Sequence, residues 1–231
     1  MQLAAHDRLF VLTGAGISAE SGLATFRGSG GLWDGHRVEE VATPDAWEAD
    51  PALVWRFYSM RRRDALAAQP NAGHLALAAI EERMGERFYL CTQNVDDLHE
   101  RAGSRRMHHM HGTLFQSRCV RCNLLFADQG FYETAASLPR CAQCGAAVRP
   151  HIVWFGEIPL EMEAIHRELE RATVLLVVGT SGSVYPAAGF VHLANRRGIR
   201  TVYVGPEEPL NADAFDEVVL GTAVDVLPGM V

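Results

Sequence analysis

With 231 residues, 48% of them hydrophobic, the chain can bury one substantial core or divide into a larger and a smaller lobe. Its 21 basic side chains stand against 28 acidic ones, a net charge of −7, which excludes a broad electrostatic footprint for nucleic acid. Residues 1–7 lack a basic segment leading into an apolar stretch, and the longest apolar run, Val174–Val178, is too short to span a bilayer; no membrane or direct nucleic-acid contact is expected, and the expected location is the cytoplasm.

Arg8-Leu9-Phe10-Val11-Leu12 is an apolar run that stops at Thr13-Gly14-Ala15-Gly16, the pattern of a buried strand feeding a tight turn and then a helix. Gly14-x-Gly16-x-x-Ala19 has the spacing of a dinucleotide loop, although a plain strand-to-helix turn gives the same match. In a dehydrogenase an acidic residue about 20 positions on ends a second strand and grips the ribose. Here Asp34 sits in Gly-Gly-Leu-Trp-Asp-Gly, a loop composition, so the ordinary dehydrogenase fingerprint is absent. Residues 21–28 instead set Phe26 and Arg27 in a glycine-flanked loop. Arg27 suits a phosphate and Phe26 could shield a reactive sugar carbon; a solvated Arg beside a core Phe is the plain alternative.

Residues 28–51, rich in Gly, Asp and Trp, precede helical patterns at 52–68 and 75–84 and a strand at Phe88–Thr92, in which Cys91 reads as a buried residue. Thr92-Gln93-Asn94-Val95-Asp96-Asp97 follows directly, placing amides and carboxylates at a strand's C-terminal end, where open α/β sheets bind ligands. Helix capping by Asn94, with Asp96 and Asp97 on the helix dipole, explains part of this cluster but not Gln93. His108, His109 and His111 come next; an unperturbed pKa of about 6.5 suits general-base work, and spacing does not choose His111 over His109.

Cys119/Cys122 and Cys141/Cys144 are two Cys-x-x-Cys pairs 18 residues apart, the pattern of a zinc ribbon. Four thiolates leave no open position, so one structural zinc ion is expected, and disulfides are not indicated. Further strands are expected at Val174–Val178 and 201–204, and helices at 161–172 and 187–197 with Gly198 just past the end. Apolar strands without polar alternation, separated by amphipathic helices, specify an α/β doubly wound parallel sheet, Rossmann-like, with a smaller inserted helical and zinc-ribbon lobe. The expected division is a Rossmann-like unit of residues 1–27, 85–113 and 151–231 and a lobe of 28–84 and 114–150, with a ligand cleft between them.

In this order, Gly14-Ala-Gly-Ile-Ser-Ala-Glu-Ser-Gly22, Thr25-Phe-Arg-Gly28, Gln93-Asn-Val-Asp96, His111-Gly112, the cysteine pairs, Val153-Trp-Phe-Gly-Glu157 and Gly179-Thr-Ser181 resemble the sirtuins, class III deacylases, and among them the bacterial CobB type, from about Leu9 to Ala223. The resemblance implies a protein-lysine deacylase that consumes NAD⁺ as a co-substrate, releasing nicotinamide, free lysine and O-acyl-ADP-ribose, with acylated lysine side chains of proteins as partners. It implies that Gly14, Ala15, Gly16, Glu20, Thr25, Phe26, Arg27 and Trp33 hold NAD⁺, and that Gln93, Asn94, Val95 and Asp96 line the ribose and nicotinamide pocket. Gly179, Thr180 and Ser181 would lie by the adenosine half, with Gly205, Pro206, Glu207 and Ala223 on its far side. His111 would be the general base, and Val153, Phe155, Gly156 and Glu157 would lie on a strand edge to which substrate peptide adds.

Tyr58 and Arg61, three apart on the 52–68 helix, share one face. The resemblance implies that they bind the distal carboxylate of succinyl- or malonyl-lysine beside ordinary acetyl-lysine turnover; taken alone, Arg61-Arg62-Arg63 reads as a solvated charge run and Tyr58 as core. Related chains often carry Asn at the Gly205 position, a departure that bears on adenosine affinity. The alternatives are mono-ADP-ribosyl transfer and a non-catalytic NAD-sensing or peptide-binding module.

Overall fold

The computed structural model describes residues 3–25, 32–33 and 35–230. In chain order it runs β1 (Leu9–Thr13), α1 (Gly16–Ala19), β2 (Leu32–Trp33), β3 (His36–Arg37), α2 (Val38–Val41), α3 (Pro44–Ala49), α4 (Pro51–Ala67), α5 (Ala72–Met84), β4 (Phe88–Thr92), α6 (Leu98–Ala102), β5 (Met107–His109), β6 (Gly112–Cys119), β7 (Leu125–Ala127), β8 (Val148–Ile152), α7 (Met162–Arg171), β9 (Val174–Val178), α8 (Phe190–Arg196), β10 (Arg200–Gly205), β11 (Glu217–Leu220) and α9 (Ala223–Val226).

Six strands form one parallel sheet in the order β11-β10-β9-β1-β4-β5. The central β1 is apolar on both faces because both are covered. Leu9 and Val11 face a core shared with Leu77 and Ile80 of α5 and Leu227, while Phe10 and Leu12 face Ile165 and Leu169 of α7 and Phe190 of α8. From β1 the chain builds outward to β4 and β5, then returns to the other side of β1 for β9, β10 and β11. The connections after β1 and β9 therefore lead to opposite sides of the sheet, and the ligand crevice of such a topology lies at that reversal of strand order.

The expected strands at the N-terminus, Phe88–Thr92, Val174–Val178 and 201–204 all form, as do the four long helical segments, and Gly198 takes a φ of +67° just beyond α8. Two edge strands, β5 and β11, were not expected. Each is only half buried, so neither shows a continuous apolar run.

A second layer stands against this sheet. β7-β6-β8 is antiparallel, and α4 lies across it. That helix starts cleanly because Asp50 accepts from the amides of Ala52 and Leu53, both at 3.0 Å, with Pro51 in the first turn. Trp55 then donates its indole N–H to the Val148 carbonyl at 2.9 Å, and Arg62 donates Nε–H to the Leu114 carbonyl at 2.8 Å. The Arg61-Arg62-Arg63 run is therefore not uniformly solvated: Arg61 and Arg62 are buried and Arg63 is exposed. Arg62 is 1% exposed, pairs with Asp128 at 3.6 Å and also reaches the Gly130 carbonyl; Arg63 pairs with Glu133. Among the described residues, no helix is long and apolar enough to cross a membrane.

Candidate active site

The loops after β1 and β9 touch. The amide of Gly16 donates to the Gly179 carbonyl at 2.8 Å, and a Cβ on Gly14 or Gly16 would come within 2.8 Å of Gly179 atoms. The glycine spacing thus answers a loop-to-loop approach at the floor of the crevice as well as any pyrophosphate above it. α1 is a single turn, begun at Ala15 without a side-chain cap.

At the end of β4, the Gln93 amide donates to the Thr13 carbonyl at 2.9 Å, tying the polar segment back to β1. The carbonyls of Gln93 and Asn94 are then each gripped by a histidine: His111 Nδ1 lies 3.1 Å from the first, His109 Nδ1 2.7 Å from the second. A carbonyl only accepts, so both rings carry hydrogen on Nδ1. Their other nitrogens separate the two. His109 Nε2 is 2.6 Å from Glu100; burial opposes its charging, yet the Glu100 carboxylate wins and its pKa is raised. His111 Nε2 has no bonding partner among the described residues, and burial lowers the pKa of the ring against the pull of the Gln93 carbonyl. His111 is therefore neutral near pH 7 with its lone pair on Nε2, the state a general base needs.

Beneath the crevice a polar network joins Asn94 and Asp96 to Ser18, His74 and His99, the two histidines having no motif of their own in the sequence. Ser18 Oγ accepts from Asn94 Nδ2 at 3.1 Å, donates to Asp96 Oδ2 at 3.2 Å and lies 3.4 Å from His74 Nε2. His74 Nδ1 accepts from the Asn71 amide at 3.3 Å, which leaves its hydrogen on Nε2, facing Ser18. The His74 ring packs edge-on against His99 at 4.9 Å, and His99 Nε2 meets Thr13 Oγ1 at 3.0 Å. Asp96 also accepts from the Leu98 amide at 3.1 Å, the first amide of α6; burial raises its pKa against those two hydrogen bonds.

Burial holds His74 down at about 4 and His99 well below 6.5, so both are neutral in the folded state. An unfolded histidine takes up a proton below about 6.5, so stability present above that pH is lost as pH falls toward the folded value. His74 alone should cost about 2 kcal/mol between pH 7.5 and 5. Urea midpoints measured at those two pH values test this, and equal midpoints would contradict it.

The four cysteine sulfurs lie within 4.8 Å of one another, with Cys119 to Cys144 at 3.4 Å and Cys122 to Cys141 at 3.6 Å. A zinc–sulfur bond of about 2.3 Å gives tetrahedral edges of about 3.8 Å, so the set fits one zinc ion. The amides of Arg121 and Cys122 both point at Cys119 Sγ from 3.4 Å, as donors to a thiolate do. β6 carries Cys119 at the end opposite Gly112, about 24 Å along the strand from the histidine side, so the metal has a structural place and not a catalytic one.

A sequence model of the Sir2 family matches residues 14–186. The chain belongs to the Sir2 family. It is 51% identical over 227 residues to a Caulobacter vibrioides protein named NAD-dependent protein deacylase, covering 97% of this chain and 95% of that one. A Salmonella typhimurium protein of the same name is 48% identical over 228 residues, covering 98% and 83% of the two chains. Among solved structures, a Sir2 homologue variant in complex with ADP-ribose matches with a TM-score of 0.90 at 42% identity, over 97% of this chain and 91% of that one.

In this Sir2-family chain, Gly14 to Gly16, Gln93 to Asp96 and Gly179 to Ser181 follow strand ends at one edge of the parallel sheet, and Gly205, the last residue of β10, leads into Pro206 and Glu207 at the same edge. Glu20 ends α1 on the exposed side, Thr25 is half-buried, and Ala223, buried, opens α9 against Gly73. Phe26, Arg27 and Asp34 lie outside the described residues, as does the Trp33 side chain, whose backbone pairs with His36. Gly205 has a local cause: a Cβ there would meet the Tyr203 hydroxyl at 2.2 Å, so Tyr203 occupies the space an asparagine would need.

The segment from Val153 to Glu157 is not a strand edge. β8 ends at Ile152, and Gly156 turns the chain at a φ of +90°. Glu157 causes the turn: its carboxylate accepts from the Trp154 amide at 2.9 Å and from Arg149 at 2.7 and 2.9 Å, with Arg118 at 3.1 Å. It organises the turn. Val153 donates to the His111 carbonyl at 2.9 Å and Phe155 to that of Ala42 at 3.0 Å. Tyr58 and Arg61 do share a face of α4, both buried; Tyr58 accepts from Trp154 Nε1 at 3.1 Å, and Arg61 NH1 reaches the Ala24 carbonyl at 3.5 Å.

Proposed function

We propose that this Sir2-family protein is an NAD-dependent protein-lysine deacylase that removes acetyl and succinyl groups, and malonyl groups by the same chemistry, yielding nicotinamide and O-acyl-ADP-ribose. The observation that carries it is His111, whose Nδ1 is committed to the Gln93 carbonyl while Nε2 stays open at the crevice. NAD⁺ supplies an electrophilic ribose carbon with nicotinamide as its leaving group. His111 Nε2 takes the proton of a ribose hydroxyl, making that oxygen nucleophilic toward the acyl carbon. The Gly14–Gly16 and Gly179 loops, stripped of side chains, let a dinucleotide lie close to the backbone. Asp96, fixed by Ser18 and the α6 amide, offers its carboxyl to a carboxamide. In this reading residues 1–27, 85–113 and 151–231 form the nucleotide-binding unit, and 28–84 with 114–150 the lobe that closes the crevice.

Matched acetyl- and succinyl-lysine peptides, assayed for NAD⁺-dependent nicotinamide release and peptide mass, test the reaction. Loss of the acyl mass supports it; label from NAD⁺ appearing on protein instead would favour mono-ADP-ribosyl transfer, and no release would favour a binding module. Arg61→Met should cut succinyl kcat/KM by about 10- to 150-fold, the worth of one charged hydrogen bond, and leave acetyl turnover within a few-fold. Equal loss on both substrates would sink the acyl-pocket assignment.

A further inference from the structure

Tyr58 is 1% exposed, and its phenolic oxygen accepts from the Trp154 indole N–H at 3.1 Å. An indole nitrogen only donates, so the phenol cannot give its own hydrogen back to Trp154. No described residue accepts that hydrogen. The charges that bear on the phenol are those of Arg149, Arg61 and Glu157, and Glu157 is already engaged by Arg149. A buried hydroxyl left without an acceptor is costly, and two arginines supply none. Among the described residues, two guanidinium groups thus bear on the phenol and none offers its hydrogen the acceptor that a carboxylate would provide.

Trp154 itself is held on every side. The Arg149 guanidinium lies over its ring at 3.2 Å from the centroid, Trp47 packs at 5.9 Å, and its amide donates to Glu157. We infer that Trp154 is a positioning residue for acyl selectivity: by donating to one Tyr58 lone pair it turns the phenolic hydrogen away from the indole, aimed with Arg61 at the distal carboxylate of a dicarboxyl-acylated lysine. This rests on the deacylase reading and on the Tyr58/Arg61 pocket.

Trp154→Phe keeps an aromatic ring against Arg149 and Trp47 and removes the N–H together with part of the indole's volume. It should raise the KM for a succinyl-lysine peptide roughly tenfold, with kcat and both acetyl parameters within about twofold. Tyr58→Phe should show the same loss, and the double variant no further loss, because the two groups act as one unit. Equal decline on acetyl and succinyl peptides would reduce Trp154 to packing and overturn the inference, as would an unchanged succinyl KM or additive losses in the double variant. If the unmodified enzyme shows no succinyl preference, or Arg61→Met leaves the ratio unchanged, the pocket reading itself falls and takes this inference with it.

A second inference stands on a separate observation. All 21 basic side chains are arginine; lysine does not occur. The fold needs guanidinium at Arg149, bidentate on Glu157, and at Arg62, shared by two carbonyls and Asp128. On the surface, Arg63 with Glu133, Arg171 with Glu168 and Arg197 with Glu170 are single-point pairs that an ammonium would make equally well. What is missing everywhere is a primary side-chain amine. In acyl transfer from a thioester, the neutral amine forms a C–N bond, the C–S bond breaks, the thiol leaves and the amine proton goes to water; a guanidinium stays protonated and brings no lone pair. We infer that these 231 residues offer no ε-amine for acylation, so the enzyme is neither its own substrate nor inactivated by the acyl donors that make its substrates.

The test is incubation with succinyl-coenzyme A, hydroxylamine treatment to strip esters and thioesters, then intact mass and nicotinamide release. At most one adduct, on an α-amine, and unchanged activity are expected, while Arg171→Lys and Arg197→Lys should each gain one. Several stable adducts on the unmodified chain, activity falling with adduct formation, or lysine variants that stay unmodified would overturn it.

Discussion

Replacing His111 with alanine is expected to lower deacylation by about 10²- to 10⁴-fold, the usual contribution of a positioned base, while the melting temperature changes little. The ring is half-buried and makes one hydrogen bond, from Nδ1 to the Gln93 carbonyl, so its removal leaves the sheet and the Ser18 network intact. The pH profile carries a further sign. On the general-base reading the neutral ring is the active form, and burial lowers its pKa, so turnover should hold at pH 7 and fall only on acidification through an apparent pKa below about 6.5. His109 is the internal control. With Glu100 on Nε2 its pKa is raised, so it suits a structural clamp, and His109→Gln should cost far less activity than His111→Ala. Near-normal turnover in the His111 variant, with His109 proving essential, would reverse the assignment.

Loss of the zinc site should show in stability first. Structural zinc contributes about 10–16 kcal/mol of binding free energy shared by four ligands, so removing one thiolate should cost about 3 kcal/mol. For a chain of this size that is a drop of about 6–12 °C in Tm. Cys144→Ser is the variant of choice because Cys144 is only partly buried, whereas Cys119 and Cys141 are packed with Trp55 and Val148. Zinc content and Trp55 fluorescence should fall together on heating, since the Trp55 indole is bonded to β8 within the same cluster. Below the new Tm, zinc-loaded protein should retain its kcat. A Cys144→Ser protein that keeps its melting temperature, or that loses kcat while still folded and loaded, would contradict a structural metal.

The sequence was most legible where burial is symmetrical. β1, β4, β9 and β10 are covered on both faces, so their apolar runs declare themselves, and the helices between them show their periodicity. β5 and β11 are half-exposed edges, and an edge strand needs apolar residues on one side only. The Val153 to Glu157 segment misled because Val-Trp-Phe has strand composition, whereas its conformation follows from a carboxylate folding back on Trp154 and Arg149 across the turn. Arg62 was misread for a related reason: a charge run looks solvated unless its partner is known, and Asp128 lies 66 positions away. His74 did leave a signal. It falls with Leu77 and Glu81 at the i, i+3, i+7 spacing of the buried face of α5, so a polar residue stood where an apolar one was due.

Between the parallel sheet and the antiparallel one, only Met110 and His111 separate β5 from β6. The next residue, Gly112, has a φ of +79°, and a Cβ there would meet the His151 carbonyl at 2.0 Å. One neighbour of the imidazole is thus anchored in each layer, with a glycine as the pivot. A rotation of one sheet relative to the other would act on the backbone of His111 and shift Nε2 against the crevice. The His111 imidazole is in effect a gauge of the angle between the two halves of the molecule.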